Sequence, residues 1–256
     1  MFEALAIGAT GMQAQQVHVE TIANNLANLQ TAGFKKGRVV FSELVAPSFR
    51  GELDPGSAGA AIGAGVGWPA PVRVFEAGEL RQTGSAWDVA LRGEGFLEVS
   101  LADGGRGFVR GGTFKVNADG LLATAGGLAL KPGISIPADA ESVTVGANGR
   151  VQLRLPGQSQ PVEAGQLELV RFSHPAGLLA QGEGVFRATE ASGEPVSGKA
   201  GEDGLATLAQ GFAEASNVKM VDEMVSLMVA QRAYEASVKV VQAADEMLGM
   251  VNGLRR

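Results

Sequence analysis

The chain contains no cysteine. Thiolate metal sites, disulfides and cysteine nucleophiles are therefore excluded. Histidine is almost as scarce, with His18 and His174 the only two. They share no ligand spacing, so neither a metal centre nor a Ser-His-Asp constellation is expected. Aromatic residues make up only 5% of the chain, so a core is expected to rest on Val, Leu, Ile and Ala. Basic clusters are missing as well. No Lys/Arg run exceeds two residues and the net charge is −6. Nothing is left to grip a phosphate backbone, which argues against nucleic-acid binding. Apolar runs fall short of the ~18 residues a membrane span needs, so membrane insertion is not expected. Glu3 sits where a basic leader region would lie, and Gly8, Gly11 and Gln13 interrupt any apolar stretch. A cleaved signal peptide is therefore not expected. Gly63-Ala-Gly65-Val-Gly67 lacks the strand-turn-helix context of a nucleotide loop. Asp119-Gly120 lacks the further acidic ligands of a calcium loop. No cofactor, metal or catalytic residue is expected.

What the chain does contain is glycine, 37 of 256 residues, roughly twice the usual share of about 7%. Such a composition suits a turn-rich β region. Strand-like runs are Val89–Leu91, Phe96–Val99, Phe108–Arg110, Val143–Val145, Val151–Leu155 and Leu167–Phe172. Between such runs lie Asp103-Gly104, Asp119-Gly120 and Asn148-Gly149, dipeptides that accept the positive φ of tight hairpins. Residues 46–67 and 190–206 are rich in Gly, Ala, Ser and Pro, and read as loops.

Both ends have a different period. Leu5, Met12, Val19 and Leu26 recur every seven residues, with Ile22 and Leu29 beside them. Met220, Leu227, Tyr234, Val241 and Leu248 do the same, widened by Met224 and Val238. These are the seams of packed helices. Gly33 marks a stop for the first helix, and Ser216 an N-cap for the second. The expected fold is α+β: terminal helices forming a coiled-coil region, and between them in the chain a Gly-rich, mostly antiparallel β domain. The divisions read as 1–33 (N-terminal helix), 34–75 (linker and extended segment with a flexible loop at 46–67), 76–211 (β domain) and 212–256 (C-terminal helix).

The helical ends could pack on the sheet, or against each other and neighbouring copies. Residues 1–34 carry only two charges, Glu3 and Glu20. Their polar positions are amides, among them Gln13, Gln15, Gln16, Asn24, Asn25, Asn28 and Gln30. Neutral amides are buried at lower cost than charges and can satisfy one another, so this helix suits a protein-lined environment. The C-terminal helix carries Lys219, Asp222, Glu223, Arg232, Glu235 and Lys239, the pattern of a solvated face.

Ala23-Asn-Asn-Leu-Ala-Asn28, Thr31 and Gly33-Phe-Lys35 resemble the N-terminal signature of flagellar rod and hook proteins. Ser216-Asn-Val218, Glu223-Met224 and Gln231-Arg-Ala-Tyr-Glu235 resemble their C-terminal signature. Ile62–Val66, Trp87–Leu91, Gly93–Phe96, Phe114–Asn117 and Ile136–Asp139 extend the likeness inward and are most similar to distal-rod members.

The resemblance implies a structural subunit that polymerises into a hollow helical driveshaft, which transmits torque and conducts exported subunits. Proximal rod or hook subunits are the alternatives within the family, and a monomeric β binding module is the alternative outside it. Self-assembly would then rest on Leu5, Met12, Val19, Ile22, Asn24, Asn25, Leu26 and Asn28 in the first helix. In the second it would rest on Met220, Met224, Leu227, Gln231, Tyr234, Val238, Val241 and Leu248. The amides Asn24, Asn25 and Asn28 would form a ladder setting helix register between subunits, or else cap the helix end. Implied partners are further copies, proximal rod, hook or junction proteins, the surrounding bushing rings and the flagellar type III export apparatus. Implied localisation is the basal body, crossing the periplasm. Phe41 and Val45, in Phe41-Ser-Glu-Leu-Val45, fit a Phe-x-x-x-apolar export pattern or an amphipathic strand end.

Overall fold

The computed structural model describes residues 2–47, 61–68, 70–158 and 160–253. The chain forms two compact units. The first takes Met1–Ala27, Gly37–Val72 and Lys219–Arg256; the second takes Asn28–Lys36 and Arg73–Val218.

The first unit holds two long helices, α1 (Phe2–Ala27) and α2 (Met220–Gly253), packed along each other. Their seam is narrow. On α1 the buried positions are Gly8, Ala14, Thr21, Ile22 and Asn25; on α2 they are Glu223, Ala230 and Ala244. A Cβ on Gly8 would sit 2.7 Å from Val241 Cγ2, and one on Gly11 3.5 Å from Ser237 Oγ. Small side chains thus bring the helices into close contact. The glycines that weaken α1 by propensity are the ones that admit α2.

An antiparallel pair, Ser42–Pro47 with Ala61–Gly67, packs on α1 through its second strand. The Thr10 hydroxyl donates to Ile7 O and accepts the Val66 N–H. Gly65 lies against that same threonine, where a Cβ would clash. Residues 61–67 are therefore a strand and not the loop expected of 46–67. Gly65 reflects close approach to α1, and Gly67 close approach to Leu44 and Ser42 of the paired strand. The stretch 48–60 lies outside the described residues.

The second unit is β-rich, and every strand ladder in it is antiparallel. One sheet runs Leu179–Gly182, Val185–Arg187, Arg106–Val109, Phe96–Ser100, Glu168–Arg171, Val196–Lys199. A second runs Leu122–Thr124, Gly111–Val116, Asp88–Arg92, Thr207–Gln210, and a third Ser142–Val145, Arg150–Arg154, Val162–Gln166. Buried and exposed residues alternate along Arg150–Arg154, as a sheet with one wet face requires. Gly104, Gly120 and Gly149 close their hairpins with φ of 78°, 73° and 83°, the conformation Asx-Gly was read to supply. Residues 190–206, expected as loop, contain a turn of 3-10 helix (Glu190–Ser192) and the edge strand Val196–Lys199. Its Gly198 is small because a Cβ would meet Leu205 Cδ1 at 2.5 Å.

The main core is aliphatic, as expected, built from Val89, Leu91, Leu97, Val99, Val151, Leu167 and Leu169 among others. Five phenylalanines form a smaller cluster beside it. Phe75, Phe96, Phe108, Phe172 and Phe186 form edge-to-face pairs with centroids 4.8–6.2 Å apart, the arrangement the ring quadrupole favours.

Both helix boundaries differ from expectation. The first helix ends at Ala27 rather than near 33. The second begins at Met220, and Phe212–Glu214, counted in the 212–256 helix, is a strand paired with Leu80–Gln82. Ser216 does not cap the helix; its hydroxyl accepts Val218 N–H instead. The reason lies in the residues that follow α1 and precede α2, which are committed to the β unit.

Candidate functional site

In the β unit, Gly33 adopts φ 70° and its N–H donates to Glu214 O at 2.7 Å. That turn delivers Lys35 into the interior, where its side chain is fully buried. Lys35 Nζ donates to Glu214 Oε1 and Glu76 O, both at 2.7 Å. Glu214 Oε1 also accepts Gly78 N–H at 2.8 Å, and Arg110 Nη2 stands 3.6 Å away. The Arg110 guanidinium is held by Gly93 O and Gly95 O and lies 5.7 Å from the Phe96 ring centroid. Burial lowers the Lys35 ammonium from its ordinary range, while the hydrogen bond to Glu214 opposes that shift.

Asn217 completes the strap. Its Oδ1 accepts Lys36 N–H at 2.8 Å, and its Nδ2 donates to Val74 O and Glu76 O. The segment leaving α1 and the segment entering α2 are thus tied together inside the β unit. The Gly33-Phe-Lys35 and Ser216-Asn-Val218 signatures meet here. Composition and periodicity pointed to none of Lys35, Arg110, Glu214 or Asn217 as partners. Lys35 and Glu214 are 179 positions apart.

In the helical unit, Asn25 is buried at 2% exposure. Its Oδ1 accepts Gly37 N–H at 2.8 Å, and its Nδ2 donates to Gly37 O at 2.9 Å and Glu223 Oε2 at 3.1 Å. One amide therefore clamps the returning backbone and α2 to α1. Asn25 is thus engaged with segments of its own chain. Asn24 is exposed and Asn28 half-buried. The Asn28 carboxamide accepts the Thr31 hydroxyl at 3.1 Å.

His18 meets Phe41 edge-on with centroids 5.6 Å apart. Burial lowers the His18 imidazole from its ordinary value, and the nearby Glu223 carboxylate opposes the shift. Phe41 and Val45, the export-pattern pair, are exposed.

Most of the remaining heptad residues are incompletely covered within the single chain. Ile22 is buried, but Leu5, Met12, Val19 and Leu26 are only half-buried. On α2, Leu227, Val238, Val241 and Leu248 are half-buried, whereas Met220, Met224, Gln231 and Tyr234 are exposed. Val221, Val225, Met228 and Val229 are exposed beside them. The large apolar residues flank the small-residue seam and leave an uncovered face along α2. An open cleft lined by Gln16, Val19 and Glu20 of α1 and Gln231, Tyr234 and Glu235 of α2 runs next to it.

Three family models match the chain. The flagella basal body rod protein model matches residues 5–35, the flagellar hook protein FlgE/F/G D1 domain residues 90–153, and the flagellar basal body rod FlgEFG protein C-terminal model residues 209–254. The flagellar basal-body rod protein FlgG of Borreliella burgdorferi is 40% identical over 266 residues, with all of both chains covered. FlgG of Agrobacterium fabrum is 40% identical, covering 97% of this chain and 98% of its own. The rod protein FlgF of Caulobacter vibrioides is 32% identical, covering 98% of this chain and 100% of its own.

Proposed function

Because the chain belongs to the flagellar basal-body rod protein family, we propose that its uncovered α2 face is what turns a single subunit into a rod. The chain is a structural subunit of the distal rod. Identity of 40% to FlgG proteins over essentially the full length supports the distal assignment.

The observation that carries the mechanism is a row of large apolar residues, Met220, Val221, Met224, Val225, Met228 and Val229, held in water on a well-formed helix. Contiguous exposed apolar surface of this kind favours burial against a partner. In a polymer of identical subunits the partner is the terminal helices of adjacent copies. Repeating one such heterologous contact without closure generates a helical filament. The half-buried heptad residues, from Leu5 to Leu26 and from Leu227 to Leu248, would complete their burial in the same coiled-coil layer. Torque passes along such a tube through packed side chains, and a central channel admits exported chains. Proximal rod, hook and ring proteins would be met at its ends and flanks, in the periplasm. Export by the flagellar apparatus without a cleaved leader, with exposed Phe41 and Val45 as the recognition pair, belongs to the same reading.

Sedimentation and electron microscopy of the full-length chain across a concentration series test this. Tubular or helical particles above a threshold concentration are expected. A chain that stays a single particle at the highest soluble concentration, with both termini shielded from protease, would overturn it.

A further inference from the structure

Five of the chain's 7 methionines lie in α2, at positions 220, 224, 228, 247 and 250. All five are exposed, between 46% and 62%. Met220, Met224 and Met228 follow one another at i, i+4 and i+8, so they form one row on the helix. Val221, Val225 and Val229 form the adjoining row. Met12, by contrast, is half-buried in α1.

A thioether is flexible and polarizable, which suits an interface that must fit a neighbouring helix closely. It is also open to oxygen-atom transfer. In a chain without cysteine, these exposed sulfurs are the readiest acceptors of an oxidant. With hydrogen peroxide, a sulfur lone pair attacks one peroxide oxygen, the O–O bond breaks, and sulfoxide and water are the products. The sulfur is oxidised by two electrons and the peroxide reduced by two. The new S–O dipole stands among valines that offer no side-chain hydrogen-bond donor. A face that must become dry on assembly would then carry unpaired polar oxygens, which opposes burial.

We propose that the Met220–Met224–Met228 row is an oxidation-sensitive control on assembly. Peroxide converts the dispersed chain to an assembly-incompetent sulfoxide form, and a chain already built into a polymer is protected because its sulfurs are covered. This inference rests on the assembly role given above to the α2 face.

The test uses the full-length chain with hydrogen peroxide, peptide mapping by mass spectrometry, and the threshold concentration for sedimentable polymer. In the dispersed chain, Met220, Met224 and Met228 should oxidise several-fold faster than Met12, and the threshold should rise at least tenfold. Treatment with both methionine sulfoxide reductases should restore it, as the reaction is reversible for each epimer. The variant Met220→Leu/Met224→Leu/Met228→Leu, which keeps Met247 and Met250, should assemble and stay insensitive to peroxide. Oxidised wild-type chain that assembles at the untreated threshold overturns the proposal. So does a triple variant that loses assembly to peroxide as the wild type does. Reductase rescue keeps the test decisive if the variant misfolds. Untreated chain that never assembles sinks the assembly role, and this inference with it, and the untreated control tells that failure from the others.

Discussion

Asn25 and Lys35 show what one side chain does in each unit. Asn25 makes three hydrogen bonds to two separate segments. Asn25→Ala leaves the buried Gly37 amide and Glu223 without their partner, and should destabilise the helical unit by about 1–3 kcal/mol. Denaturant unfolding followed by helix signal, with hydrogen exchange of the β unit as control, measures this. Lys35→Ala removes the closer of the two cations beside the buried Glu214 carboxylate, a loss of about 3–5 kcal/mol. The double variant Lys35→Met/Glu214→Leu should not recover it, because the buried Arg110 guanidinium and the Gly78 N–H then lose the carboxylate they share. Thermal unfolding of the two variants decides it.

His18 links stability to pH. Its folded pKa lies below the unfolded value because burial favours the neutral ring. Its contribution is then complete above the unfolded value of about 6.5 and is lost as pH falls through the lower folded one. The helical unit should therefore lose stability on going from neutral pH to a pH below the unfolded value. In His18→Gln that part of the loss should vanish. Melting curves at both pH values, wild type against variant, check the sign.

The helices and strands carry two kinds of glycine. Gly8 sits where α2 approaches, and Gly249 has nothing within 4 Å. Gly8→Leu should wedge the helices apart and cost about 1–3 kcal/mol despite better helix propensity. Gly249→Ala should stabilise α2 by up to about 1 kcal/mol. Opposite shifts in melting temperature are the expected result, and equal shifts would contradict the close seam. Strands Ala61–Gly67 and Val196–Lys199 follow the same logic. Gly65 faces Thr10 and Gly198 faces Leu205, so a loop-like composition at these positions is the mark of tight contact.

Across the whole chain, small residues join α1 to α2, and large ones stay exposed along α2. Val225 is exposed and lies in the latter set. Val225→Asp should leave the melting temperature of the dispersed chain within experimental scatter while abolishing polymer. Sedimentation and calorimetry on the same sample separate the two effects. A variant that polymerises normally would move the assembly surface elsewhere. No helix among the described residues is long and apolar enough to cross a membrane, so the exposed apolar rows are too limited to be a transmembrane span.

Much was legible in the residues alone, because local rules govern it. Heptad spacing revealed two terminal helices, Asx-Gly pairs located three hairpins, and the two end motifs pointed to the family. The amide-rich first helix marked polar positions without charge, but not that Asn25 would bind Gly37 and Glu223. Other features depend on which distant segments come together. Lys35 meets Glu214, and Asn25 meets Glu223 at a separation of 198 positions; no local pattern encodes such pairs. The heptad reports where large apolar side chains lie, not which helix will cover them. Close approach of α1 to α2 selects Gly8, Ala14, Ala230 and Ala244 for the inner seam. The methionine and valine rows are left in water because three-dimensional packing within one chain has no room or need for them.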